Sequence, residues 1–507
     1  METQKFLLSI INKIWKESAF PGTWEIAILL AILKPKKDGA IPSNYRPIAL
    51  TSCICKLMEK MVNVRLMWVL ERKGLITPGQ CGFRRMHSCT DILIRLETSI
   101  CEAFISNKHH VSVFFDLEKA YDTAWRYGIL KTLHDYEFRG ELPLFIQAFL
   151  KNRRFRVKVG NAFSSFHSQE EGVPQGSVLS VTLFALSING IASVIPKDVM
   201  FTLFVDDLSL SFAASRMAVA ERKMQLAINK VVEWAERRGF KFSTSKSVAV
   251  HFCHIRGVHP DPDLYIHDQR ISCKEETRFL GLVFDRRLTW MPHLKDLKIR
   301  CLQAMNILRV LSHTSWGADR KHLMILYKAL VASKLAYGCE VYSSATKSRL
   351  CILDSIHNAG IRIVSGAFKS SPIPSLLVDA GEMPLDSYRQ ISLVRYWYRI
   401  QRIPKSFTYQ TVFNNKYFSF YESHPRYPKP FGYRVLKILE ECFIPKIKVW
   451  PVKYSVVPPW KLPSVEHCRC FSGSKEEVSA DMLHISFLEH FGGTSRVNFG
   501  FYGWFQV

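Results

Sequence analysis

The sequence is short of negative charge: 44 Asp and Glu stand against 69 Lys and Arg, a formal balance of +25 over 507 residues with a pI near 9.5. So marked a deficit favours a polyanionic partner, because each neutralised phosphate releases a counterion. There is also no long hydrophobic run. Trp24 to Leu33 is apolar but far too short to span a bilayer, and Lys34, Lys36 and Lys37 follow at once, which leaves a core strand and no membrane partner. No apolar segment with a cleavage site opens the chain, and the 13 cysteines, an odd number, show no repeated spacing. This fits free thiols in a reducing, intracellular setting better than secretion or a disulfide framework. Cys53-x-Cys55 and His467-Cys468-Arg469-Cys470 could each be half of a zinc site, but neither has a partner pair at zinc-finger spacing. Internal repeats are absent too.

What is present is an ordinary folded composition, 48% hydrophobic and 22% charged, in a chain too long for one core. Two to four domains are expected. Phe6 to Trp15 and Lys56 to Glu71 have helical spacing, and the loop between them, Lys36 to Asn44, is rich in turn formers. Phe155 to Val159 and Phe163 to Ser168 alternate across Gly160-Asn161 as a hairpin. Met217, Ala220, Met224, Ala227, Ile228, Val231, Trp234 and Ala235 follow a 3.6 period that stops at Gly239. This order predicts an α+β architecture, an antiparallel sheet with helices on one face. Cys301 to Leu335 reads as basic helix. Eight prolines between Pro425 and Pro463 mark a loop-rich C-terminal region.

Two adjacent carboxylates, Asp206 and Asp207, sit between apolar runs that read as a buried strand hairpin, Leu203 to Leu210. An unpaired buried carboxylate costs several kcal/mol, so the pair calls for a cation, and oxygen ligands suit magnesium, with manganese as the alternative. Val111 to Phe115 is a second strand, and it ends on a third carboxylate, Asp116. Three carboxylates converging from neighbouring strands can hold paired metals for in-line attack of a hydroxyl on a phosphoanhydride. Side chains alternate along a strand, so Asp206 and Asp207 need not be equivalent.

Phe115-Asp116-Leu117-Glu118-Lys119-Ala120-Tyr121-Asp122, Gly172-Val173-Pro174-Gln175-Gly176-Ser177 and Phe204-Val205-Asp206-Asp207 occur in the order seen in reverse transcriptases of non-LTR retrotransposons of the LINE or jockey-like kind. Asn44 to Leu50, Gln80 to Arg84, Ser245 to Ser247 and Phe279 to Leu282 also resemble blocks of that family, and the likeness runs from about 15 to 390. It implies a right-hand polymerase: fingers over 1–105, palm over 106–275, primer-grip hairpin and helical thumb over 276–345, helical post-thumb region over 346–400, and a Pro-rich linker or tail over 401–507. It implies RNA-directed DNA synthesis on an RNA template, with a DNA primer, an RNA-DNA heteroduplex, deoxynucleoside triphosphates and two magnesium ions on Asp116, Asp206 and Asp207. Tyr121 resembles the aromatic gate against a ribose 2′-hydroxyl, Arg46 and Arg84 the triphosphate ligands, Gln175 and Gly176 the loop under the template-primer pair. Lys246 resembles the acid that protonates pyrophosphate, and Phe279, Leu280 and Gly281 the primer grip. For Arg84 the bland alternative is a salt bridge.

Three departures stand out. Most relatives have Ala where this chain has Val205, a larger side chain expected to crowd the primer terminus. They also continue the Gln-Gly loop as Ser-Pro-Leu-Leu-Phe, whereas here it is Ser180-Val181-Thr182-Leu183-Phe184, and losing proline is expected to loosen the helix start. Finally, no upstream endonuclease is evident, and Val497 to Trp504 stands where an RNase H strand would begin but lacks its carboxylate, which reads as a copy truncated at both ends. A catalytically impaired nucleic-acid-binding remnant and a group II intron maturase are the alternatives.

Overall fold

The computed structural model describes residues 2–460 apart from 36, 256–259, 415–416, 453–457 and 459. His467 to Cys470 and Val497 to Trp504 lie outside the described residues. Strand β1 (Ile26–Leu33) pairs antiparallel with β2 (Tyr45–Leu50) and, after β3 (His109–Phe115) has left for a second sheet, parallel with β4 (Arg154–Val159). The expected hairpin across Gly160-Asn161 is formed by β4 with β5 (Ala162–Phe163) and β6 (His167–Ser168). β1 is central in its ladder, yet Ile32 and Leu33 are exposed, so it is a core strand by hydrogen bonding more than by burial.

The second sheet runs in the order β12-β9-β3-β8-β7, from β7 (Met200–Phe204), β8 (Asp207–Ala214), β9 (Val248–Phe252) and, after the small hairpin β10 (Tyr265–Ile266) and β11 (Gln269–Arg270), β12 (Ser272–Cys273). Its pairings are antiparallel except β12 with β9. β3 is buried along its whole length, so each face of this sheet meets a hydrophobic layer. Val111, Val113, Phe115, Leu208 and Leu210 join the helices Val178–Asn189 and Met217–Arg237, the expected helical face. The periodic residues Ala220, Met224, Ala227, Ile228, Val231 and Ala235 are all buried, and Gly239 ends the helical segment at φ 78°.

The opposite face is also covered, which the alternation pattern did not indicate. Phe114, Val248, Val250 and Phe252 pack with Ile92, Leu93, Leu96, Ile100 and Phe104 of the helix Cys89–Ile105, which starts in a capping box between Ser88 and Asp91. Beyond β12, the hairpin of β13 (Glu276–Phe279) and β14 (Leu282–Asp285) leads into the long helix Met291–Leu311.

The loop-rich reading of 401–507 is corrected over its described part. Helices span Phe407–Phe413, Phe418–Ser423 and Phe431–Glu441, and Val412, Tyr421, Phe431, Val435 and Leu439 are buried in the same core as the Cys89–Ile105 helix. Pro430 immediately precedes the Phe431–Glu441 helix, where a missing N–H costs nothing, so proline there starts a helix. Arg434 fixes the docking through Glu97: the two are 2.7 Å apart with side chains 11% and 0% exposed. Cys53 and Cys55 do not form a metal pair. Both lie in the helix Cys53–Arg72, two residues apart and so on different sides; Cys53 is exposed, while buried Cys55 donates to Glu59.

Candidate active site

The carboxylates meet because of strand register. Phe115 of β3 lies opposite Leu208 of β8, so Asp116, one residue on, comes alongside the start of β8, where Asp207 stands. Phe204 pairs with Asp207, leaving Val205 and Asp206 as a two-residue hairpin loop. Val205 takes φ 60°, a left-handed conformation that costs a β-branched residue of order 1–3 kcal/mol.

The strain is held from outside the sheet. Fully buried Gln80 accepts through Oε1 from the Val205 N–H at 3.1 Å and from the Gly82 N–H at 2.8 Å. The Cys81 N–H donates to Leu203 O at 2.9 Å and the Leu203 N–H to Gly79 O at 3.0 Å, so this segment lies along β7 as an extra edge. Val205 is buried, and a Cβ on Gly82 would stand 2.5 Å from its Cγ2. Its Cγ2 methyl group therefore packs against Gly82 on the protein side of the turn.

Desolvation by the surrounding protein, and then the charges of Asp206 and Asp116, push the Asp207 carboxyl up to about 6. Asp206 is raised as well, by burial first and also by Asp116. A folded-state value above the unfolded one means that stability is fully present below about pH 4 and is lost as pH rises through about 6. Asp207→Asn should therefore stabilise the metal-free protein at pH 8, by about 1 kcal/mol or less since the side chain is exposed to screening. Thermal melts at pH 8 in a chelator check this; an unchanged or lower Tm contradicts it. An all-oxygen, mutually repelling donor set of this kind fits a hard divalent cation.

The surroundings are sewn to the same end of the sheet. Ser243 N–H donates to Asp116 O at 2.8 Å and the Asp116 N–H to Ser247 Oγ at 3.3 Å, which places Lys246 Nζ 3.2 Å from Asp116 Oδ2. The Tyr121 ring stacks on Phe184 at 4.9 Å; burial and the Asp206 charge push its phenol up to about 12. Gln175 donates through Nε2 to Asp122 Oδ1 at 3.2 Å, and its carbonyl accepts from the Ala49 N–H at 2.7 Å. Gly176 has φ 120°, and a Cβ there would meet Ala49 O at 2.5 Å, so only glycine fits. The β13–β14 turn is Leu280-Gly281, at φ 44° and 85°; buried Phe279 packs on Phe114 at 4.7 Å, and the Tyr337 hydroxyl donates to Leu280 O at 2.8 Å.

The family described as reverse transcriptase (RNA-dependent DNA polymerase) matches residues 34–284. These residues are a reverse transcriptase domain. Relatives include the probable RNA-directed DNA polymerase from transposon X-element of Drosophila melanogaster, 29% identical over 71% of this chain and 40% of that one. The RNA-directed DNA polymerase from mobile element jockey of the same organism is 28% identical over 72% of this chain and 40% of its own. This chain thus spans about 40% of the length of the curated relatives it matches. Among solved structures, apo telomerase from Candida tropicalis aligns at 12% identity with a TM-score of 0.39, covering 83% of this chain and 73% of that one.

Within the reverse transcriptase domain the structure separates the two arginines expected at a triphosphate. Arg46 is exposed on β2 with no carboxylate partner among the described residues. Arg84 is not available: it makes a bidentate pair with Glu71, at 2.7 and 2.8 Å, and donates to Thr77 O and Gln80 O, with both charged side chains nearly buried. A guanidinium so committed braces the Gln80 segment, which corrects its reading as a substrate ligand. Sequence reasoning missed Gln80 itself, since a lone Gln in a loop carries no signal of what its amide will meet. It also missed Glu59. This buried carboxylate accepts from the Ser177 hydroxyl, from Val178 N–H at 2.7 Å and from Leu179 N–H at 3.2 Å, capping the helix that follows the Gln175-Gly176 loop. The helix start expected to be loose without proline is thus held by a charge at its positive end.

Proposed function

We propose that this chain is an RNA-directed DNA polymerase of the non-LTR retrotransposon kind, in which a primer 3′-hydroxyl attacks the α-phosphate of a deoxynucleoside triphosphate opposite an RNA template. The observation that carries the reading is the convergence of Asp116, Asp206 and Asp207 on one strained hairpin end. In this reading residues 1–105 act as fingers, 106–275 as palm, 276–345 as primer-grip hairpin and thumb, and 346–400 as post-thumb region, with the packed helices up to 441 extending it. Two magnesium ions held there, or manganese, would lower the pKa of the attacking hydroxyl and neutralise charge on the triphosphate.

The chain's own residues do the rest. Arg46 reaches the triphosphate, Lys246 gives its proton to the departing pyrophosphate, and Gln175 with Gly176 supports the template-primer pair of the heteroduplex. Phe279, Leu280 and Gly281 hold the primer strand. The Tyr121 ring occupies the space of a 2′-hydroxyl and so excludes ribonucleotides. Tyr121→Val should relax deoxy-over-ribo selection by about 10–100-fold, read as the ratio of kcat/KM for dNTP and rNTP; an unchanged ratio makes the tyrosine a core residue only. No helix among the described residues is long and apolar enough to cross a membrane.

The test is primer extension on a poly-RNA template with magnesium. Extension of a DNA primer supports the reading, and heteroduplex binding without any extension leaves a non-catalytic nucleic-acid-binding remnant.

A further inference from the structure

β3 carries Asp116 beyond its last residue and His109 at its first, about 20 Å away along the strand. At that far end, His251 of β9 lies opposite Val111, and Cys253 follows the end of β9. His109 Nδ1 is 3.0 Å from His251 Nε2, and Cys253 Sγ is 3.6 Å from His109 Nδ1. All three donor atoms lie within 4.8 Å of one another, on residues 8%, 1% and 5% exposed. We propose that His109, His251 and Cys253 form a structural zinc site that clamps the end of the central sheet remote from the carboxylates.

Two imidazoles and a thiolate are a zinc donor set. Tetrahedral zinc with Zn–N of about 2.0–2.1 Å and Zn–S of about 2.3 Å sets its ligand atoms roughly 3.3–3.6 Å apart. The observed 3.0 and 3.6 Å separations bracket that spacing, so side-chain rotations of a few tenths of an ångström complete the geometry. Cys253 gives up its proton on binding.

Partners behind the ligating histidine are present as well. Asp261 Oδ1 is 3.5 Å from His251 Nδ1, the carboxylate expected behind a ligating histidine. Arg286 is the competing partner, with Nη2 2.9 Å from the same Nδ1, and this contact defines the metal-free network, in which His251 donates to His109. Arg286 is also held by Asp261 at 3.1 Å and by Glu275 at 2.7 Å. It therefore keeps two carboxylate partners when Nδ1 takes the proton and turns to Asp261.

The experiment is metal analysis of the full chain, purified without chelator, followed by cobalt substitution. About one zinc per chain is expected, with a thiolate-to-cobalt absorption band. His109→Ala combined with Cys253→Ser should abolish both, while His467→Ala, Cys468→Ser and Cys470→Ser together should leave both unchanged. A wild-type chain without zinc overturns the proposal, and so does zinc that is lost with the 467–470 variant and kept by the 109/253 variant. Should the 109/253 variant fail to fold, Cys253→Ser alone decides: loss of the thiolate-to-cobalt band supports the site, and its retention, as a metal on the separate cluster of Cys81, His87 and Asp91 would give, refutes it.

Discussion

Asp206→Asn will lower primer extension by at least about 10³-fold, roughly 4 kcal/mol of transition-state stabilisation, while heteroduplex binding stays within a few fold of wild type. Asn has the shape of Asp, and the turn does not depend on the charge, because Val205 is held through its backbone by Gln80 and its side chain packs on Gly82. What disappears is one anionic oxygen from the carboxylate cluster. The folded protein should not suffer, since Asp206 is already raised by burial and by Asp116, so neutralising it removes repulsion. Single-turnover extension beside a filter-binding titration separates the two effects. A variant that extends at the wild-type rate removes Asp206 from the chemistry, and equal loss of extension and binding assigns it to nucleic-acid contact.

Arg84→Ala will act on stability, by about 3–5 kcal/mol, because it strands the nearly buried Glu71 carboxylate and frees two backbone carbonyls. Urea unfolding of the two proteins measures it. In the fraction that remains folded, KM for deoxynucleotide should be close to that of wild type. A large rise in KM with unchanged unfolding would return Arg84 to the triphosphate.

These two predictions mark what could be seen in the sequence. Asp116, Asp206 and Asp207 were legible because a carboxylate within an apolar strand run is costly, and the strands around them formed where their composition put them. Arg84 was misread because the direction of a guanidinium is set by tertiary packing: Glu71 lies in a different element, 13 residues away. The same holds for Glu59 at the helix that follows Ser177, 118 residues on. The helices of 407–441 were hidden for another reason. Pro430, one of the prolines that read as breakers, sits at a helix start, and the aromatic residues Tyr421 and Phe431 are buried against a helix more than three hundred residues earlier.

That last separation bears on how the chain is made. Glu97 is fully buried, and its partner Arg434 lies 337 residues further along. At about 5–20 residues per second of synthesis, the Cys89–Ile105 helix waits roughly 20–70 seconds before the segment that covers it has been translated. Until then its apolar flank is open to chaperones or to neighbouring nascent chains, and closure over so long a span is entropically slow. Ribosomes that stop short of residue 434 release a protein whose carboxylate triad is complete in sequence while the core behind it still lacks its lid.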